Sequence, residues 1–180
     1  MNCHIGRAMM FAVVFSIAPC VSEAVKAETI RIVALGASNT NSYGVSPGEG
    51  WPAKLERMLR AKGFDVRVVV SANNGDGTAA ILGRVDSVVT PGTRVVVYDS
   101  GERNDIRRGV PAGVARANAA QIQARIRARG AVPIAANSLA VPPHLLQEDK
   151  SRGPHANPQG HSHVASRLLP QVVAAIGKKK

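Results

Sequence analysis

Aromatic side chains are nearly missing from this chain: Phe, Trp and Tyr together make up 3% of its 180 residues. Proteins that hold single-stranded nucleic acid stack bases on such rings, so the scarcity argues against that partner. It does so even though Lys and Arg outnumber Asp and Glu by 23 to 12, for a formal charge of +11. The basic residues are scattered, and Lys178–Lys180 reads as a solvated tail. No specific nucleic-acid binding is therefore expected, while the positive balance leaves an anionic surface as a weak partner. Cysteine is also scarce, with only Cys3 and Cys20, both near the start.

Long hydrophobic runs are lacking too. The one apolar stretch of note, Ala8–Ala18, follows Arg7 and precedes Val25-Lys26-Ala27. It is too short for a membrane span and has the order of a secretory signal: a positive start, an apolar middle and a small-residue cleavage site. Residues 1–27 are read as a signal peptide, with cleavage after Ala24 as the alternative, and residues 28–180 as one domain of a periplasmic or secreted protein. Ile17-Ala18-Pro19-Cys20 is a poor lipid-attachment site because proline precedes the cysteine. Cleavage after Ala27 removes both cysteines, so neither disulfides nor thiol chemistry is expected of the mature chain. The positive charge survives, since Arg7 and Lys26 leave together with Glu23.

What is present is a regular alternation. β-branched runs at Ile30–Gly36, Val66–Val70, Arg94–Tyr98 and Val132–Ala136 read as strands, with Val66–Val70 expected to be buried. Between and after them, helices are expected at Trp51–Gly63, with Leu55, Met58 and Leu59 as its apolar stripe, and at Ala79–Val89. Two more are expected at Pro111–Arg129 and at Gly160–Ile176, the last with a kink at Pro170. Ser42–Gly50, Ser71–Thr78, Asp99–Gly109 and Asn137–Pro158 read as loops. Strands alternating with helices imply a three-layer α/β/α sandwich around a parallel sheet, flavodoxin-like in arrangement.

The chain is organised around Ile30–Gly44. The first strand stops at Gly36, and Ser38 follows two residues later, at the end of the sheet where open α/β folds bind ligands. Ser38 is well placed there for nucleophilic work, though a serine taken alone at such a position is more often a loop or helix-cap residue. Gly75 and Gly77 suit plain turns or an anion site, and Asn104 suits a loop bond of its own. His161 and His163 are two apart and point to opposite sides of a helix, so neither is expected to share a metal with His155.

Four blocks in chain order then resemble the SGNH (GDSL-type) hydrolases: Gly36-Ala37-Ser38-Asn39-Thr40 with Tyr43-Gly44 behind it, Asn74-Gly75-Asp76, Asn104-Asp105, and His155-Ala156-Asn157-Pro158-Gln159-Gly160-His161. The resemblance spans Ile30 to Ile176. It implies a serine esterase without metal or organic cofactor, acting on small acyl esters or thioesters of the arylesterase, thioesterase or lysophospholipase kind. Ser38 is the implied nucleophile and His155 the base. The N–H groups of Ser38 and Gly75 and the amide of Asn104 are the implied oxyanion hole. Such a set meets the needs of acyl transfer: a nucleophile, a proton acceptor, and donors aimed at developing charge.

Three departures stand out. Arg152 occupies the place of the aspartate that orients the histidine in this family, and a guanidinium offers the ring no acceptor. Asp149 is the nearest replacement; failing that, a backbone carbonyl holds the ring. Glu102 and Arg103 stand where the third block carries glycine, implying either a loop longer by one residue, with Gly101 in the turn, or a strained turn. Ala72 stands where close relatives have glycine. The alternative expectation is a non-catalytic domain of the same fold that binds an acylated or anionic ligand.

Overall fold

The structure, a computed structural model, describes residues 28–136, 141–147 and 153–177. The segment read as a signal peptide lies outside them, as do Asp149 and Arg152. Four parallel strands, β1 (Ile30–Gly36), β2 (Val66–Ala72), β3 (Thr93–Tyr98) and β4 (Val132–Ala135), form one sheet in the order β2-β1-β3-β4. The helices are α1 (Trp51–Ala61), α2 (Thr78–Val88), α3 (Glu102–Arg107), α4 (Ala112–Ala128) and α5 (Pro158–Gly177). The expected three-layer arrangement around a parallel sheet is what the chain adopts.

Strand periodicity sorts the core into two layers. Ile32 and Ala34 of β1, with Val95 and Val97 of β3, face Leu55 and Leu59 of α1 and Leu168 and Val172 of α5. Their neighbours Val33, Leu35 and Val96 face Ile81 and Val85 of α2 and Ile122 and Ile126 of α4. Successive strand side chains point to opposite faces, so a strand covered on both sides is apolar throughout, as Ile32–Leu35 is. α1 starts where Pro52 sits comfortably in the first turn.

From β1 the chain winds to β2 on one side, then crosses over α2 to β3 on the other. The direction of winding reverses between β1 and β3, and the carboxyl ends of those two neighbours open a crevice between the loops that follow them. Every site residue expected from the sequence and described in the structure lies around it.

Several expectations need correction. Val66–Val70 was expected to be buried, yet β2 is an edge strand and Val70 is 46% exposed. Asp99–Gly109 is not all loop, because α3 occupies its middle. That helix hides from periodicity, since its one aliphatic side chain, Ile106, is 71% exposed. Asn137–Pro158 contains a small antiparallel ribbon, β5 (Leu146–Gln147) with β6 (His155–Ala156). α5 begins at Pro158, two residues before the expected Gly160, and continues past Pro170 to Gly177.

Candidate active site

Ser38 lies in the turn just past β1, half-buried. The turn is tight: Asn41 N–H donates to the Ala37 carbonyl (2.9 Å) and Tyr43 N–H to the Ser38 carbonyl (2.9 Å). A side chain at Gly36 would collide with the Thr40 hydroxyl, so glycine is needed there for close approach. His155 is 4% exposed and reaches the same point from β6. Its Nε2 lies 2.8 Å from Ser38 Oγ, across 117 residues of sequence.

The histidine is steadied from the turn that carries Ser38. Asn39 Oδ1 accepts the N–H of Ala156 at 3.1 Å, and the Tyr43 ring rests against the imidazole with centroids 4.9 Å apart. Nothing in the sequence pattern marks Asn39 or Tyr43 for this, because their partners come from a segment more than a hundred residues away.

The loop after β2 supplies Gly75, in the left-handed region at φ 84°. Several contacts hold the loop in place. Arg84 pairs with the Asp76 carboxylate and donates to the Gly36 carbonyl (3.1 Å), tying the end of β1 to this loop. Asn41 Nδ2 donates to Asn74 Oδ1 (3.0 Å), and Arg108 donates to the Gly75 carbonyl.

Asn104 comes from the first turn of α3 and donates one amide N–H to the Asp76 carbonyl at 2.8 Å. An amide has two N–H donors, so this contact orients the group and leaves the second. The displaced glycine of the third block is also resolved. Gly101 takes φ 78° at the N-cap of α3, and a Cβ there would lie 2.8 Å from the Asp76 carbonyl oxygen and 2.8 Å from Ile81 Cδ1. Glu102 and Arg103 are thus ordinary helical residues; among the described residues, Ser42 is the one non-glycine with positive φ. The neighbouring Asp105 is buried, and one carboxylate oxygen takes both the N–H (3.1 Å) and the hydroxyl (2.6 Å) of Thr78. It thereby caps α2, which Gly77, having no side chain, cannot do.

Ser38, Gly75, Asn104 and His155 share the lining of one depression of about 300 Å³, together with Arg107 and Arg108. A second, deeper cleft of about 310 Å³ is also lined by Ser38 and His155, together with Thr40, Trp51, Asp99, Arg103 and His161. Burial raises the Asp99 carboxyl above the usual carboxylate range; the Gly101 N–H and Arg103 pull it back, and Glu102 adds to the rise. Thr40 and His161 stand inside the motif blocks without a role assigned from them, and Asp99 is a part of this site that motif spacing did not reveal.

A GDSL-like lipase/acylhydrolase family model matches residues 34–175. The chain belongs to that family. Among curated proteins it is 30% identical over 105 residues to esterase TesA of Pseudomonas aeruginosa, a match covering 58% of this chain and 51% of that protein. It is thus aligned with about half of that relative's length. It is also 26% identical over 151 residues to an arylesterase of Vibrio mimicus, covering 84% of this chain and 74% of that one. Among solved structures, the crystal structure of TesA superposes with a TM-score of 0.69 at 19% identity, over 81% of this chain and 99% of that one. AlinE4, an SGNH-hydrolase family esterase, gives 0.56 at 24% identity, over 84% and 98%.

Proposed function

We propose that this GDSL-family chain is an exported serine esterase that hydrolyses small acyl esters or thioesters. The observation that carries the reading is the 2.8 Å contact between Ser38 Oγ and His155 Nε2, beside a depression also lined by Gly75 and Asn104. Ser38 Oγ attacks the acyl carbon as His155 Nε2 takes its proton. The carbonyl oxygen becomes an oxyanion facing the N–H groups of Ser38 and Gly75 and the second amide N–H of Asn104. His155 then returns the proton to the departing alcohol or thiol, leaving an acyl-serine. Water, deprotonated by the same histidine, releases the carboxylic acid and restores Ser38. Asp149 is the residue proposed to hold the His155 ring.

The test is hydrolysis of p-nitrophenyl acetate and butyrate by purified protein and by Ser38→Ala. Loss of about 10⁴–10⁶ in turnover is expected. Retained hydrolysis in Ser38→Ala would overturn the assignment. Export is tested separately by intact mass of secreted material, where a chain starting near Glu28 is expected and an uncleaved Met1 would refute it.

A second reading has one specific observation in its favour. Arg103 and Arg107 of α3 line the deeper cleft, and Arg107 and Arg108 line the depression. A binder of acylated or anionic ligands would use that positive rim without turnover. Tight binding of such a ligand by a protein with no hydrolytic rate would favour it.

A further inference from the structure

The mechanism leaves two buried polar atoms in the cleft unused. His161, in the first turn of α5, is 0% exposed, and its Nδ1 accepts the N–H of Trp51 at 3.2 Å. A neutral imidazole carries one bare nitrogen and one N–H, so this contact puts the proton on Nε2. The ring stays neutral because burial, aided by the charges of Lys54 and His155, lowers its pKa to about 4 against a smaller opposing pull from Glu49. Nε2 has no hydrogen-bond partner among the described residues, and His161 lines the deeper cleft together with Ser38 and His155. Thr40, 1% exposed, lines the same cleft, and its Oγ1 is likewise without a partner among the described residues.

A buried donor left unmade is costly, and two beside one cleft point to something that enters it. The same cleft is lined by the aliphatic Ala136, Val141, Leu146 and Val164 and by the charged Asp99, Glu102, Arg103 and Arg107. Thr40 Oγ1 and Asp99 Cβ both border the point where a side chain on Gly36 would sit, so an anion seated on these donors would lose its hydration beside a carboxyl, whereas a neutral oxygen within a short chain would lose little.

We infer that His161 and Thr40 form a subsite for a neutral oxygen acceptor, so that the preferred esters carry an ether, hydroxyl or carbonyl oxygen in an otherwise aliphatic chain. This deepens the esterase reading and rests on it. The enzyme discriminates through the buried donors: an all-carbon chain fills the space and leaves both unsatisfied. Both residues are specificity determinants and take no part in the proton transfers between Ser38 and His155.

Two matched ester pairs test this, each exchanging one methylene for oxygen. p-Nitrophenyl methoxyacetate against p-nitrophenyl butyrate probes the acyl side, and 2-methoxyethyl acetate against butyl acetate probes the alcohol side. The readout is the ratio of kcat/KM, ether over all-carbon, in wild type relative to each variant, which cancels intrinsic reactivity. His161→Asn keeps an acceptor for the Trp51 N–H but removes the Nε2 donor. It should lower the ratio about tenfold for the pair whose oxygen reaches the subsite. Thr40→Val should lower it several-fold, and His161→Gln, whose amide N–H extends to where Nε2 lay, should restore part of the loss. If His161→Asn does not fold, Thr40→Val carries the comparison. Ratios agreeing within about twofold across wild type and variants for both pairs would overturn the subsite and assign the donors to ordered water.

If wild type hydrolyses none of the four esters, the esterase reading fails on its own. The subsite is then read by the ¹⁵N shift of His161 Nε2 in Ser38→Ala on adding methyl methoxyacetate or methyl butyrate. A shift with the ether alone supports it, and the same response to both, or none, refutes it.

Discussion

The two halves of the candidate site are built differently. The half that carries Ser38, Gly75 and Asn104 grows directly from the sheet: the loops after β1, β2 and β3 each follow a strand of the four-stranded core. They are cross-tied by Arg84 to Asp76 and Gly36, Asn104 to the Asp76 carbonyl, and Asp105 to Thr78. The histidine half stands on β6, two residues long, held by Asn39 to Ala156 (3.1 Å) and by Asn157 N–H to the Leu145 carbonyl (2.9 Å). Preorganised donors stabilise charge only if they do not move when it develops. The first half has that rigidity from its continuity with the core. The second rests on a two-residue strand between the β5 partner and the start of α5, outside the main sheet, so its alignment is the easier of the two to disturb.

The comparison can be broken most sharply at the ring's own support. Asp149→Asn should cost up to about 10⁴ in turnover if that carboxylate orients His155, by analogy with triad aspartates. A silent Asp149→Asn, with Arg152→Asp raising the rate, would assign the ring to a backbone carbonyl instead. On the rigid side, Asn104→Ala should lower kcat by about 10²–10³ and shift KM less, with an unchanged circular-dichroism spectrum. Full turnover in that variant would make the amide a purely structural tie to Asp76.

Asn39→Ala sharpens the contrast between the halves. It frees the Ala156 N–H and should lower kcat about tenfold, through loosened alignment of His155, with little change in melting temperature. An equal loss from Arg84→Ala would show that both halves are equally pliant.

The smallest effect concerns His161, whose pKa is about 4 in the folded chain against 6.5 without the fold. The unfolded chain binds the extra proton first, so this group's contribution is complete above pH 6.5 and is lost as pH falls through about 4. The melting temperature should decline by several degrees across that window, and His161→Asn should flatten the slope. An identical slope in the variant would place the titrating group elsewhere.

Much of this was legible in the chain itself. The run Ile32–Leu35 is apolar on both faces because both are covered, and the break at Gly36 before Ser38 reflects a collision with Thr40 that any side chain would cause. Four strands and four of the five helices follow from patterns of this local kind. α3 did not, because its start depends on Gly101 fitting against Asp76 and Ile81, and its buried face is polar. The edge position of β2 was hidden for a related reason, since a β-branched run does not say whether a second strand will cover its flank.

What the sequence by itself determined is the set of elements, the family resemblance and the reactive residue types, all carried by short-range patterns of side chains. What only the tertiary structure decided is how those residues meet. Ser38 and His155 touch across 117 residues because the strand order β2-β1-β3-β4 opens a crevice beside β1 and β6 returns to it. His161 acquires its tautomer from Trp51, 110 residues earlier, and its low pKa from burial. Proton position and desolvation depend on neighbours in space, and those neighbours exist only once the sheet has chosen its order.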